Sequence, residues 1–489
     1  MEFNTKQVVK GTVWMSMSTG VVAFFQLLSL AVLTRFLSKS EFGVVAIVNM
    51  VLGIVHAMAD LGFSAVVMHK SNLSEKEFSS LYWIQLILFT VMFLVSIAIS
   101  PLIASYYNES SLSYLIPISL SALVFMGIGM LYNTMLQKNK EFRILAIRNI
   151  IASSTSFIIA LLLAIWGFGV FSLILSTLFQ TAFLHLWNFF SGIKYIRVQR
   201  YISLKEVRPL IKIGLYQTGT QLIDFISSRL DILIIGKILG VDLLGVYNLV
   251  KELVIKVYAL LNSVANKVAL PYFAEMQNNF DQLGKAYCSF IKKISLFNFP
   301  LCILLGSLSP YLLVCLYGDS YIDAVPILTV MAVWGMLASV GNPINNIIVS
   351  VGRTDLSFKY VIIRLIITIP ILSLAAYHGL MATAIATVLC EAITLTASWY
   401  MELWKTISLK FKSFFSVFIY DLLISVIIIV VVNFVITSMP PMQKYVGLLI
   451  SFVITVGVYL FFTVVLRRRN LTEMKNLAIL FINNIRHKK

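Results

Sequence analysis

Long apolar runs follow one another along almost the whole chain, and they limit the folds that it can adopt. A helix needs about 20 apolar residues to cross a bilayer, and about fourteen runs of this length can be counted. The runs are continuous rather than alternating, which argues against a membrane β-barrel. The sequence therefore predicts an all-α, polytopic membrane protein. The predicted spans lie at 12–36, 43–68, 79–106, 113–137, 143–166, 169–190, 210–235, 243–269, 286–308, 324–350, 357–377, 380–402, 413–438 and 444–466.

The composition excludes a soluble globular protein. Of the 489 residues, 59% are hydrophobic and only 12% are charged. A soluble domain contains about 25% charged residues. No soluble core could bury so much apolar side chain, so we expect lipid to surround the helices.

The basic residues set the orientation in the membrane. The net charge is +17, and Lys and Arg concentrate in the loops of one side, including the longest loop, 191–209. The loops of the opposite side hold Arg35, Lys39, Lys237 and Lys444. Because the cytoplasmic side carries the excess of basic residues, both termini are predicted to be cytoplasmic. The charge therefore points to membrane topology, and we predict no nucleic-acid partner.

One stretch, 215–267, is apolar enough for two spans yet contains many polar side chains. Gln217, Gln221 and Asp224 recur at helical spacing, and so do Asn248, Glu252 and Lys256. A charged group near the middle of a bilayer costs about 2.5–3.5 kcal/mol, so such groups face one another or a polar cavity. We interpret the stretch as a polar interior surface of a helical bundle.

The chain also contains a weak internal repeat. Residues 33–48 align with 235–250 at a constant offset of 202, which pairs Gly43 with Gly245. A second alignment, at an offset of 216, places Arg148 over Arg364. Chance similarity between apolar sequences is the alternative. If the repeat is real, two parallel lobes of six helices are related by a pseudo-twofold axis along the membrane normal.

This organisation predicts four regions. The N-terminal lobe and a basic linker occupy 1–200, the C-terminal lobe occupies 201–411, and two extra helices occupy 412–468. Residues 469–489 are predicted to form an amphipathic cytoplasmic tail, because their apolar positions fall at helical spacing. A helical tail with no role at the membrane is the alternative.

Four segments carry a resemblance to a known family. DLGFSAVVMHKSNLSEKEFSSLYWIQ (60–85), DILIIGKILGVDLLGVYNLV (231–250), LPYFAEMQNNFDQL (270–283) and LYGDSYIDAVPIL (316–328) resemble Wzx-type polysaccharide exporters, the group that includes colanic-acid and teichuronic-acid exporters. These exporters are part of the multidrug/oligosaccharidyl-lipid/polysaccharide exporter superfamily. The resemblance implies a fold like that of the multidrug exporters, with two six-helix lobes in a V and two extra helices.

The resemblance also implies a function. Such a protein would flip an undecaprenyl-diphosphate-linked oligosaccharide across the bacterial inner membrane by alternating access, for the assembly of O-antigen, capsule or exopolysaccharide. Polysaccharide polymerase and export machinery would be possible partners, and the protein is expected to work as a monomer. The family supplies no fixed catalytic motif, and we predict neither a catalytic residue nor a metal site.

The chemistry of that substrate suggests candidate residues. A diphosphate in a medium of low dielectric needs cations, which Arg148, Arg229, Lys251, Lys256 and Arg364 could supply. Gln217, Gln221 and Asn248 could bind sugar hydroxyls. The alternative is structural: Glu252 would pair with Lys256 and Asp224 with Arg229 inside the bundle. Coupling to a proton or Na⁺, with no other cofactor, would use intramembrane carboxylates. The candidate carboxylates are Asp60, Asp224, Glu252 and Glu391.

Two other functions can be weighed against this one. A cation-coupled drug exporter of the same superfamily would need a cavity dominated by acidic residues, whereas this stretch is mixed and carries several cations. A membrane enzyme would need a large loop domain or a cluster of acid, base and nucleophile. The sequence has neither, so we predict a protein that is not an enzyme.

Overall fold

The computed structural model describes residues 5–59, 62–70, 73–203, 219, 221–440 and 443–466. This described part is built of helices and connecting turns. The helices of its first half are α1 Thr5–Leu33, α2 Lys39–Ala59, α3 Phe63–His69, α4 Glu75–Tyr107, α5 Leu112–Leu120, α6 Ala122–Lys138, α7 Phe142–Ile165, α8 Val170–Gly192, α9 Leu230–Ile238 and α10 Val241–Ala274.

The second half continues in the same way. Its helices are α11 Phe280–Ser307, α12 Ser309–Tyr317, a 3₁₀ helix Asp319–Ala324, α13 Val325–Gly341, α14 Ile344–Val351, α15 Thr354–Ala376 and α16 Leu380–Ser398, then a π-helical turn Trp399–Trp404, α17 Lys405–Ile407, α18 Phe411–Phe415, α19 Ile419–Thr437 and α20 Lys444–Leu466.

Twelve helical segments of the described part are long and apolar enough to cross a membrane. They correspond to twelve of the fourteen predicted spans, so the all-α membrane architecture is confirmed. Within the predicted span 210–235, residues 210–218 and 220 lie outside the described residues, whereas 221–228 is helical and 230–235 is the first part of α9. The predicted span 243–269 lies within α10, whose 34 residues carry charged side chains through the middle. A total of fourteen is compatible with this structure.

The described residues form two compact units. Unit 1 falls within Met1–Leu249 and Val361–Thr383, and unit 2 falls within Val250–Tyr360 and Ala384–Lys489. The lobe boundaries at 200 and 411 stay a prediction. The amphipathic tail, 469–489, lies outside the described residues.

In unit 1, the Ser100 hydroxyl lies near two carbonyls that prolines leave without a hydrogen-bond donor. Proline has no N–H, so Pro101 and Pro117 each leave the carbonyl four residues earlier without its helical donor. Those carbonyls belong to Ile97 and Ser113, and the Ser100 hydroxyl lies 3.2 Å and 2.8 Å from them. The hydroxyl has one proton and can donate to either carbonyl. It thereby links α4 to α5 beside the two prolines.

The chain that leaves α8 lies along the start of α4. The Tyr132 hydroxyl donates to the Ile196 carbonyl at 3.3 Å, and the Trp83 indole donates to the Gln199 carbonyl at 2.8 Å. The backbone N–H of Gln199 in turn donates to the Ser79 hydroxyl at 2.8 Å. The first part of the predicted basic loop is therefore ordered by hydrogen bonds to two helices.

The two segments of the predicted repeat meet each other within unit 1. A β-carbon added to Gly43 would stand 1.9 Å from the Val241 carbonyl oxygen. One added to Gly245 would stand 1.9 Å from the Lys39 carbonyl oxygen. Lys39 and Val241 are related by the same offset of 202 as the two glycines. Reciprocal contacts of this kind are what a twofold axis between equivalent segments produces, which supports the repeat.

Candidate functional site

An ion pair in unit 1 joins two predicted site residues. Asp224 lies in the helical stretch 221–228, and its Oδ1 is 3.8 Å from Nη1 of Arg364 on α15. The Asp224 side chain is 59% exposed and that of Arg364 is 22% exposed. The alternative derived from the sequence paired Asp224 with Arg229. The ion pair recorded here instead joins a predicted coupling carboxylate to a predicted substrate cation, and both are accessible.

Arg148 is buried, with only 7% of the residue exposed. Its guanidinium donates to the Oδ1 atoms of Asn149, at 2.8 Å, of Asn133, at 3.3 Å, and of Asn188. These residues lie on α7, α6 and α8, so one cation joins three helices. Amide oxygens take up its donors, and this arrangement gives Arg148 a structural role that the sequence did not reveal.

Two predicted cations lie on α10 in unit 2. Lys256 Nζ is 3.6 Å from Glu252 Oε2, and both side chains are about one-fifth exposed. This is the internal i,i+4 pair that the structural alternative anticipated. Lys251 is buried, and its ammonium lies over the Trp334 ring at 5.4 Å from the centroid. A cation in this position is stabilised by the ring quadrupole.

The remaining predicted residues are less tightly clustered. Arg229 precedes α9, Gln221 is exposed, and Asn248 is half-buried on α10. Glu391, on α16 of unit 2, is half-buried, and its Oε1 lies 3.7 Å from where a β-carbon on Gly341 would stand. Gln217 and Asp60 lie outside the described residues. The assignment of all these residues to substrate or coupling ion stays a prediction.

Sequence reasoning gave no site role to Asp231, one of the polar residues of the stretch 215–267, and it overlooked two amides. The Asp231 carboxylate accepts from the Tyr247 hydroxyl at 2.7 Å and from the Ile232 N–H at 3.0 Å, and both side chains are buried. Asn188 and Asn133, which hold Arg148, were overlooked. A search for every polar side chain within an apolar run would have found both, because each must have a partner there.

Comparison with known proteins assigns the chain to a family. The chain matches the family described as polysaccharide biosynthesis protein over residues 32–326, more than half of its length. This chain belongs to that family. It is 26% identical over 364 residues to the teichuronic acid biosynthesis protein TuaB of Bacillus subtilis, covering 73% of this chain and 74% of TuaB. It is 25% identical over 384 residues to the lipopolysaccharide biosynthesis protein WzxC of Escherichia coli, covering 78% and 77%.

Solved structures confirm the fold class. The lipid II flippase MurJ in an inward closed conformation superposes with a TM-score of 0.73 at 17% identity, covering 94% of this chain and all of that one. An inward-facing multidrug resistance MATE family transporter superposes with a TM-score of 0.62 at 16% identity, covering 81% and 95%. At these identities the likeness concerns the fold alone, which this chain shares with both transporters.

Proposed function

We propose that this protein is a flippase that moves an undecaprenyl-diphosphate-linked oligosaccharide across the bacterial inner membrane. The observation that carries the proposal is the family match over residues 32–326, together with relatives named for teichuronic acid and lipopolysaccharide biosynthesis. A fold shared with a lipid II flippase agrees with it. The drug-exporter alternative has weaker support, because the family and both relatives are named for polysaccharide biosynthesis.

The proposal extends to mechanism and setting. Both termini would be cytoplasmic, the protein would act as a monomer by alternating access, and a polysaccharide polymerase would receive the product. A proton or Na⁺ that neutralised Asp224 would release Arg364 from its ion pair. Its guanidinium could then bind the substrate diphosphate, which links coupling to substrate binding.

Liposomes provide the test of transport. A fluorescent undecaprenyl-diphosphate-linked oligosaccharide should reach the opposite leaflet in vesicles that contain the protein and stay in place in empty vesicles. We expect Lys256→Ala to slow this movement about tenfold, since it removes a cation that the substrate would meet. Lys285→Ala is the matched control, because Lys285 also forms an i,i+4 pair, with Asp281 at 2.7 Å, but is highly exposed. Equal flipping rates for the two variants would show that Lys256 does not contact the substrate.

Changes at the Asp224–Arg364 pair should separate a role in transport from a role in folding. We expect Asp224→Asn to slow flipping about tenfold, or about 1.4 kcal/mol in activation free energy. The melting temperature should change little, because an exposed ion pair contributes only about 0–1 kcal/mol. The double variant Asp224→Arg with Arg364→Asp should recover part of the rate. A double variant slower than either single change would show that the two charges do not act as a pair.

A further inference from the structure

A membrane-spanning segment of unit 2 is interrupted where polar side chains converge. Helix α13 ends at Gly341 and α14 begins at Ile344, so Asn342 and Pro343 lie between them. Pro343 has no N–H and cannot donate to the carbonyl of Ser339, four residues earlier. The Asn262 side chain of α10 donates to that carbonyl at 3.3 Å. Asn262 thus supplies the hydrogen bond that the proline removes.

A second amide fixes the first one. Asn298 on α11 donates from Nδ2 to Oδ1 of Asn262 at 2.8 Å, and both residues are buried. The Oδ1 atom of Asn298 is itself buried and has no hydrogen-bond partner within the described part of the chain. The hydrogen bond from Asn298 thus orients the Asn262 amide toward the Ser339 carbonyl.

One turn further along α10, a second set of amides is accessible. Asn266 donates to Asn342 Oδ1 at 2.6 Å and accepts from Asn346 Nδ2 at 2.9 Å. Asn342 is exposed, and Asn266 and Asn346 are half-buried. A side-chain amide offers two donors and an acceptor with two lone pairs, so these bonds use only part of its capacity. Part of the remaining capacity lies at the accessible surface, because Asn342 is exposed. We call Asn262, Asn266, Asn298, Asn342 and Asn346 the asparagine cluster.

The depth of the cluster indicates what it faces. Asn342 belongs to the membrane-spanning segment Asp319–Val351 and precedes its last residue by nine positions, or about 14 Å of helix. An exposed amide at this depth is costly in hydrocarbon, because lipid offers it no hydrogen bonds. This face of unit 2 therefore meets a polar ligand or water.

The chemistry of the cluster selects the ligand. Its five side chains are neutral amides, and a carboxylate, that of Glu391, lies beside Gly341. A diphosphate needs positive charge, which the cluster does not provide. A sugar hydroxyl both donates and accepts a hydrogen bond, and so does an amide, so the two are complementary.

We propose that the asparagine cluster binds the hydroxyl groups of the glycan and contributes to selection of the oligosaccharide. The inference rests on the proposed flippase function and adds to it a neutral sugar site, separate from the cations that would hold the diphosphate. Asn262 and Asn298 hold the helix break in place by their hydrogen bonds. The sugar is contacted by the accessible amides of Asn266, Asn342 and Asn346. Asn342 is the most exposed member and is the position to test.

Binding of two lipids to the full-length protein in nanodiscs tests this inference. One probe is undecaprenyl-diphosphate-linked oligosaccharide extracted from the producing bacterium, and the other is undecaprenyl diphosphate without sugar. We expect Asn342→Ala to raise the Kd for the first lipid about tenfold, as for the loss of one or two hydrogen bonds, and to leave the Kd for the second within about twofold. Asn346→Ala should behave in the same way.

The control is another amide of the same unit. Asn433 donates to the Gly306 carbonyl at 3.0 Å, outside the cluster, and Asn433→Ala should leave the Kd for both lipids unchanged. Unchanged affinity of Asn342→Ala and Asn346→Ala for the glycan lipid would overturn the inference, and so would equal losses for both lipids. A wild-type protein that binds and moves neither lipid would instead overturn the proposed function itself.

Discussion

Gly43→Ala is expected to destabilise the protein by about 3 kcal/mol or more and to stop transport, because overpacking backbone against backbone cannot be relieved by a rotamer change. The added methyl group would stand 1.9 Å from the Val241 carbonyl oxygen and 2.7 Å from its carbon. Ordinary contact begins at 3.4 Å, so α2 and the start of α10 would have to separate by about 1.5 Å. Thermal unfolding in detergent and flipping in liposomes measure the two effects.

Gly20→Ala is the matched control for this change. Gly20 also lies within a helix, α1, but no atom stands within 4 Å of the position that its β-carbon would take. Alanine is the better helix former by about 1 kcal/mol, so the control should be neutral or stabilising. Similar melting temperatures for Gly43→Ala and Gly20→Ala would show that α2 does not approach the start of α10 so closely in the membrane.

Gly245→Ala should have nearly the same effect as Gly43→Ala, since its methyl group would meet the Lys39 carbonyl oxygen at the same 1.9 Å. The double variant should cost less than the sum of the two single changes, because one separation of the helices relieves both clashes. Additive costs would show that the two contacts are independent and that the repeat does not pair the segments.

The membrane architecture could be predicted because it follows from local sequence. A helix that crosses lipid must form all its backbone hydrogen bonds internally and present apolar side chains around its circumference. Each span therefore appears in the sequence as one continuous apolar run. Twelve of the predicted spans are found as helices for this reason. The i,i+4 pair of Glu252 and Lys256 could be predicted for the same reason, because helical geometry brings the two side chains together.

The contacts of the candidate site could not be predicted from local periodicity. The Asp224 carboxylate pairs with Arg364, which is distant in sequence, whereas spacing along one helix suggested only Arg229. Asn133 and Asn188 reach Arg148 from two other helices. Asn262 reaches the carbonyl that Pro343 leaves free because α10 packs against α13, which its position in the sequence does not indicate. Each case depends on which helices pack together, and apolar runs of similar composition do not encode that order.

Arg148→Ala is expected to lower the free energy of unfolding by about 2–4 kcal/mol, because it removes a large buried side chain and its hydrogen bonds to three helices. The change would leave amide oxygens of Asn133, Asn149 and Asn188 without their common donor and would open a cavity between three helices. Arg148→Lys should have an intermediate effect, because an ammonium keeps the charge but lacks the planar fork that reaches several acceptors. Chemical unfolding in detergent measures both variants.

The control compares Arg148 with an exposed arginine. Arg353 pairs with Asp355 at 3.0 Å, and its side chain is 45% exposed, so Arg353→Ala should cost no more than about 1 kcal/mol. The sequence assigned Arg148 to the substrate, and the same experiment separates that role from the structural one. If Arg148→Ala kept its stability but lost flipping, the result would support the predicted contact between Arg148 and the substrate diphosphate. A loss of stability would support the structural role and would leave Arg229 and Arg364, both half-buried, as the predicted substrate cations of this unit.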